Sequence, residues 1–284
     1  ISSNLQGMAI LIGDPPALIL AEYLRMNFND FFVYKGNPGL FFAVEISAIA
    51  SLFVLYYFFR IYRQPVVKQQ AGSVKSWFPT YMLVLMIILL SLAPLVDPEF
   101  VWLSGTICMS IAGATAVWSF MRYGGSLTID LLKKYEYDTT FFLAGVFVLV
   151  KTFAAVGLVD DLTGILRAIT GEDVLVNYLF IILFSMVISA FVDNVPYITM
   201  MIPVTDNMGQ ALSCSPYLLM YGLLIGSCLG GNITPIGAAA NIVSVGILKK
   251  EGYETSFWDF VRIGLPFTLV ATAAGALFIW FVWK

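Results

Sequence analysis

Histidine is absent from this chain, and charge is scarce: 15 Lys+Arg and 18 Asp+Glu make up only 12% of the residues. Cysteine is nearly absent too. Cys108, Cys214 and Cys228 fall in apolar or loop stretches without metal-ligand spacing. These gaps argue against a zinc site or a disulfide framework. With no nucleophile–base pair or metal cluster in the pattern, they also argue against an enzyme. A net charge of -3 and a pI near 4.9 leave no basic face for a nucleic acid. What fills the chain instead is apolar: 60% hydrophobic residues and a mean hydropathy of +0.87. A soluble domain of this size needs far more polar surface, so the composition points to an all-α polytopic membrane protein.

A helix rises about 1.5 Å per residue, so a bilayer core of about 30 Å asks for apolar spans of roughly 20 residues. The sequence predicts a broken span at 1–24 and full spans near 40–62, 77–95, 99–121 and 139–158. A long apolar region, 174–204, follows and is interrupted at Asp193-Asn194-Val195-Pro196. A second broken span covers 217–248 and a last span 262–283. Loop charges orient this topology. Arg60, Arg63, Lys68, Lys75, Arg122, Lys133, Lys134, Lys249, Lys250 and Arg262 lie in three loops on one side, ten of the fifteen basic residues. Arg25, Lys35, Arg167 and Lys284 lie on the other. The positive-inside rule then makes the first side cytoplasmic and puts the C-terminus outside. Trp77, Trp102, Trp258, Trp280 and Trp283 near span ends fit an aromatic belt.

Two Gly-rich segments are copies of one another. Ile1 to Ala17 and Ile225 to Asn241 align without gaps and match at six positions: Ile1, Ser3, Leu5, Gly7, Ile12 and Gly13 pair with Ile225, Ser227, Leu229, Gly231, Ile236 and Gly237. Each breaks a helix inside an apolar stretch, which hydrocarbon does not tolerate unless the freed backbone is buried in protein or lines a cavity. The topology runs the two in opposite directions, as in an inverted-repeat secondary transporter with broken helices and a site at the bilayer midplane. The two apolar arms around Asp193 suggest a re-entrant hairpin. The chain divides into 1–39 (end of the first repeat with its broken helix), 40–158 (membrane helices, largely scaffold) and 159–284 (hairpin, second broken helix and last helix). Symmetry predicts a further hairpin and roughly three helices upstream of Ile1.

Asp14, in Gly13-Asp14-Pro15-Pro16, has two readings: an N-cap on the half-helix that follows, or an ionisable group at the midplane that binds a cation or a proton. Asp193 and Asn194 could form a local Asx turn; a turn buried between apolar arms instead favours a coordinating or proton-carrying role. Asn232, Thr234 and Asn241 bracket Pro235 and Gly237 and offer hard oxygens, while half-helix N-termini suit an anion. Asparagines also knit helices together. Lys151, in the middle of a span, is either a built-in cation near Asp193 or Asp14 or half of a structural ion pair. Glu45 lies near a span end. Cys228, the one cysteine inside a motif, reads as a small residue that permits close packing.

At these residues the chain resembles the ion transporter superfamily, in the branch that holds arsenite permeases, NhaD-type sodium–proton antiporters and the melanosomal P protein, with a citrate-transporter-like domain. The stretches that carry the resemblance are Asn4 to Pro16, Ser189 to Val204, Gly226 to Ile247 and Gly252 to Pro266; residues 40–135 match only as generic helices. The resemblance implies a scaffold and a mobile transport domain, elevator-like alternating access and a homodimer. Carried over by position, it places Asn4, Gly13, Asp14, Asp193, Asn194, Asn232, Thr234, Gly237 and Asn241 at the substrate or ion site. Dicarboxylate carriers of the wider superfamily have Ser-Asn-Thr at the hairpin tip, where this chain has Asp193-Asn194-Val195. Ala17 stands where an Asn commonly follows Pro-Pro, and Lys151 where a small or acidic residue is usual.

The expected activity is that of a secondary active antiporter in a bacterial inner membrane. It would move a small inorganic ion such as arsenite, antimonite or sodium, coupled to protons or sodium. A bound sodium ion would be its only cofactor, and lipid and a small ion or anion its partners. Sodium-coupled uptake of citrate or a dicarboxylate is the alternative. A channel would not need the inverted repeat, and a non-transporting scaffold would not keep Asp14, Asp193 and Lys151 at lipid depth.

Overall fold

The computed structural model describes residues 1–61, 76–97, 102–135 and 137–284, and it is helical nearly throughout. The broken span at the start is α1 (Ser2–Gly7) and α2 (Pro15–Leu24), with Pro15 and Pro16 in the first turn of α2, where a missing N–H costs nothing. A two-stranded hairpin follows, Val33–Tyr34 against Asn37–Pro38. Its turn residues Lys35 and Gly36 both have positive φ, 50° and 83°, as a tight two-residue hairpin turn demands. Next come α3 (Leu40–Phe59), α4 (Phe78–Leu92, extended by a 3-10 turn to Leu95), α5 (Leu103–Tyr123), α6 (Gly125–Lys133) and α7 (Tyr137–Ala155). The chain continues through α8 (Leu158–Thr170), α9 (Val174–Ser189), α10 (Asn194–Ala211), α11 (Pro216–Gly230), α12 (Ala239–Lys250) and α13 (Phe257–Trp283). Among the described residues, four helices are long and apolar enough to cross a membrane, and a fifth crossing results if the bent pair α7–α8 is one span. The protein is an all-α polytopic membrane protein. The basic residues Arg63, Lys68 and Lys75 of the first expected cytoplasmic loop lie outside the described residues.

Three segments differ from the sequence expectation. Most of residues 159–173, expected as a loop, belong to α8, which ends at Thr170 and bends 73° away from α7. Its apolar residues Leu158, Leu162, Ile165, Leu166 and Ile169 follow helical spacing. Asp160, Asp161 and Arg167 make the segment too polar for a span, which is why it reads as a loop. Helix α6 likewise occupies part of the expected loop 122–138. The last helix starts at Phe257 instead of 262, because Ser256 and Asp259 form a capping box in which each side chain accepts the other's backbone N–H.

Contacts divide the chain into two compact units. The smaller comprises Asn27–Asn29 and Arg63–Phe142. There the Asp97 carboxylate accepts from Trp102 N and Leu103 N at 3.2 and 3.1 Å, satisfying free donors at the start of α5. Phe78 of α4 stacks on Trp118 of α5 with ring centroids 4.3 Å apart. The larger unit, Ile1–Met26, Asp30–Tyr62 and Leu143–Lys284, contains every residue of the candidate site.

At the centre of the larger unit is α11, whose thirteen residues Leu218–Gly230 are all buried. Gly222, Gly226 and Gly230 recur every four residues and face Tyr178, Ile182 and Met186 of α9, also four apart. A Cβ on Gly226 or Gly230 would run into the α9 backbone, so α9 and α11 meet main chain to main chain. In lipid, where apolar burial gives helices no reason to associate, such close packing supplies much of the cohesion. Helix α13 packs along both α3 and α11, and the Tyr178 hydroxyl of α9 donates to Ala276 O of α13 at 2.9 Å.

Candidate functional site

Both helix breaks close in the same way. A Cβ on Gly13 would overlap the Gly7 carbonyl, and in the second copy Cβ atoms on Gly231 and Gly237 would each meet the other's carbonyl oxygen at 2.9 and 2.7 Å. The matched glycines are therefore the residues on which each chain crosses itself between its half-helices. Pro15 and Pro235 lie beside these crossings and withhold backbone donors.

The hairpin lies on the second break. Its arms are α9 and α10, joined at residues 190–193. The Ser189 hydroxyl donates to Asn194 Oδ1 and is also within bonding distance of Ser227 O, while Thr234 Oγ1 donates to Ala190 O. Gly231 faces the Asn194 amide, close enough that a Cβ there would sit 3.3 Å from Oδ1. Asn241, nearly fully buried on the first turn of α12, donates through Nδ2 to Gly231 O and Thr234 O at 2.7 and 3.0 Å. It thereby holds the unwound backbone that the break frees.

The first copy reaches into the second. Asn4 Nδ2 donates to Asn232 Oδ1 at 2.9 Å and lies 3.4 Å from Asn241 Oδ1. Asn232 is fully buried, with its carbonyl oxygen against Gly264 of α13. Its Nδ2 is buried and has no hydrogen-bond partner among the described residues. An unmade buried hydrogen bond costs about 1–3 kcal/mol, so such a donor in a native core asks for an explanation.

The two aspartates occupy helix N-termini. Asp14 is the N-cap of α2 and accepts from Ala17 N at 3.0 Å. It is half-buried, with Oδ2 over Gly7. Asp193 is the N-cap of α10 and accepts from Val195 N at 2.9 Å, but its side chain is exposed. Asn194, its half-buried neighbour, is the tip residue bonded by Ser189 and set against Gly231. Helix α12, whose N-cap is Ala238, has no side-chain cap. Lys151 is exposed on α7 and forms no ion pair with a carboxylate among the described residues. Glu45 is half-buried on α3.

The geometry thus brings together Asn4, Gly13, Asp14, Asn194, Asn232, Thr234, Gly237 and Asn241. The sequence reading missed Ser189 and Ser227, which tie the hairpin to the second break. Their signal was present, since Ser189 opens the hairpin motif and Ser227 is one of the six repeated residues.

Known membrane transporters are similar to this chain. An uncharacterized transporter of Mycobacterium bovis is 30% identical over 301 aligned residues, covering 98% of this chain. Another from Synechocystis is 25% identical over 308 residues, again covering 98% of the chain. The chain spans 65% of the length of each of these relatives. The P protein of Mus musculus is 36% identical over 156 residues, 52% of this chain and 19% of that protein. The sequence profile of the citrate transporter family matches residues 1–226, from the first break through the hairpin and into α11, and this chain therefore belongs to the citrate transporter family.

Proposed function

We propose that this chain is the core of a cation-coupled secondary transporter that binds a small oxyacid at the second break. That oxyacid is a carboxylate such as citrate or a hydroxylated inorganic species such as arsenite. The observation that carries the reading is the difference between matched half-helix ends: α2 is capped by the carboxylate of Asp14, whereas α12, with Ala238 at its N-cap, has no side-chain cap. A bare helix N-terminus favours an anion, and the buried Asn232 Nδ2, without a partner among the described residues, is a further donor for an oxygen ligand. Asp14 supplies the negative charge for the coupling cation, sodium or a proton.

Loop charges support a cytoplasmic side at Arg60, Arg122, Lys249 and Arg262, with the C-terminus outside. Bacterial relatives support an inner-membrane location. Family membership supports a dimer that works by an elevator-like motion, and it supports transport over enzymatic activity. A second reading, sodium–proton antiport without an anionic cargo, is favoured by the carboxylate of Asp193 at the hairpin tip.

The test uses the full-length transporter in proteoliposomes loaded with a pH-sensitive dye, with sodium, arsenite and citrate added separately and then in pairs. Movement of protons or charge with citrate or arsenite that depends on a cation supports the oxyacid reading. Proton movement with sodium alone, unaffected by either oxyacid, would replace it with antiport.

A further inference from the structure

A groove of about 510 Å³ lies between α8 and the two arms of the hairpin, α9 and α10, and Phe153 of α7 also lines it. None of its thirteen lining residues is charged, and the one side-chain oxygen among them, the Tyr197 hydroxyl, is bonded to Ser185 at 2.9 Å. A water needs about two to four polar partners to stay in a cavity, so this groove suits only an apolar occupant. Phe180, Phe184 and Ile188 line it every four residues along α9, about 12 Å at the helical rise, and Val192 and Pro196 carry it on to the hairpin tip. Beside that stripe Leu179, Leu183 and Val187 are exposed, so the groove is continuous with an open apolar flank of α9. Helix α8 shows how the groove sits in the membrane. Asp160 near its start accepts from Asn207 near the end of α10 at 3.0 Å, and Thr170 at its end donates to Asn177 in the first turn of α9 at 2.5 Å. Both partners lie at the ends of the arms remote from the tip, so α8 crosses the open end of the hairpin. It sets Asp160, Asp161 and Arg167 against the groove-lining Leu162, Ile165 and Ile169. Such an amphipathic helix lies in the bilayer interface with its apolar face toward the hydrocarbon. The groove therefore descends from headgroup level toward the hairpin tip.

We propose that this groove is a lipid site, in which one acyl chain of a bilayer phospholipid passes beneath α8, lies along α9 and ends against Val192 and Pro196. The depth matches, since one leaflet contributes about 15 Å of a hydrocarbon core of about 30 Å. A helix from elsewhere in the transporter, about 10 Å across, would need roughly twice the groove's volume over about 12 Å of length. The charges on α8 fit a headgroup. Both signs are present, and the Arg167 Nε is buried with no hydrogen-bond partner among the described residues. A lipid phosphate supplies acceptors that a guanidinium binds well. The bound chain packs on the arms whose tip carries Asn194 to the second break, so lipid occupancy and hairpin stability are linked.

The experiment reconstitutes the full-length protein in vesicles of phosphatidylethanolamine and phosphatidylglycerol doped with phosphatidylcholine that carries a photoactivatable diazirine on one acyl chain. Adducts are mapped by peptide mass spectrometry, with the peptide of Phe281, an exposed residue of α13, reporting ordinary lipid contact. A diazirine at the chain end should label Ile188 to Tyr197 above that reference, and one near the headgroup should move the adducts to Phe180 and α8. Ile188→Trp, which fills the groove, should cut the groove adducts about tenfold and leave those at Phe281 unchanged. Should that variant not fold, Ile165→Trp on α8, where the wild-type side chain is 56% exposed, blocks the same groove. Groove labelling no higher than at Phe281, or adducts that ignore the diazirine's place on the chain, would overturn the site, because lipid would then only surround the protein. Unlabelled groove peptides that crosslink instead to a second copy or to another part of the transporter would overturn it too, by giving the groove a protein occupant.

Discussion

The two helix breaks share a backbone and differ in chemistry. Gly7 and Gly13 close the first as Gly231 and Gly237 close the second, yet the residue that starts the following half-helix is Asp14 in one copy and Ala238 in the other. Three residues later the polarity is exchanged, with Ala17 in the first copy and Asn241 in the second. One break carries its own anion; the other is lined by amides and a bare helix end. In the function proposed above, the duplicated scaffold holds two ligands of opposite charge because single side chains have diverged: the half-helix dipole is common to both, and the cap decides what it attracts.

The comparison breaks most completely at the shared glycines. Gly13→Ala and Gly237→Ala should each place a methyl group against a facing carbonyl, with Gly105→Ala, which meets open space, as control. Overpacking of this kind costs about 1–3 kcal/mol or more. Both variants should lose folded protein on size-exclusion chromatography and retain no flux. If only one copy suffers, the two breaks do not depend alike on close main-chain contact.

The next largest effect separates the copies. Asp14→Asn keeps a capping oxygen but loses the charge, so the fold should survive and cation-dependent flux fall about 10- to 100-fold, the range for a lost charged interaction of about 1.5–3 kcal/mol. Wild-type cation dependence in this variant would reduce Asp14 to a helix cap.

Much of this was legible in the sequence, for identifiable reasons. Gly-Asp-Pro-Pro inside an apolar run can only break a helix, so α1 and α2 were readable, as was the hairpin with its Asp-Asn tip. Helix α8 was not, because a segment with Asp160, Asp161 and Arg167 is too polar to read as a span. Nor could the sequence choose between Asp193 and Asn194. They are adjacent, and which one turns inward depends on how the arms pack, here through Ser189 and Gly231. Contacts such as Asn4 to Asn232 cross 228 positions, and no local pattern encodes them.

Ala238→Asp sharpens the comparison in the other direction, giving the second break the cap of the first. The new carboxylate should bond the free N–H groups of α12 and raise stability by about 0.5–1 kcal/mol. It should also occupy the place offered to an anion and raise the half-saturating oxyacid concentration about tenfold. Melting curves and substrate titrations on the same preparation measure both. A more stable protein with unchanged affinity would move the anion site away from α12.

The smallest effect is expected at Asp193, although it is an acid at the tip of the hairpin. Its carboxylate caps α10 through Val195 N and its side chain is exposed, while Asn194 is the tip residue engaged with the second break. Asn is as good a cap as Asp, so Asp193→Asn should change stability by no more than about 0.5 kcal/mol, and Asp193→Ala should lower it by about 1 kcal/mol. Flux in the Asn variant should stay within about twofold of wild type, as for an exposed cap. Loss of coupled flux in Asp193→Asn with the melting temperature intact would give the hairpin tip a carboxylate that works in transport. It would also turn the comparison of two breaks into one of three helix ends and favour cation–proton antiport over oxyacid uptake.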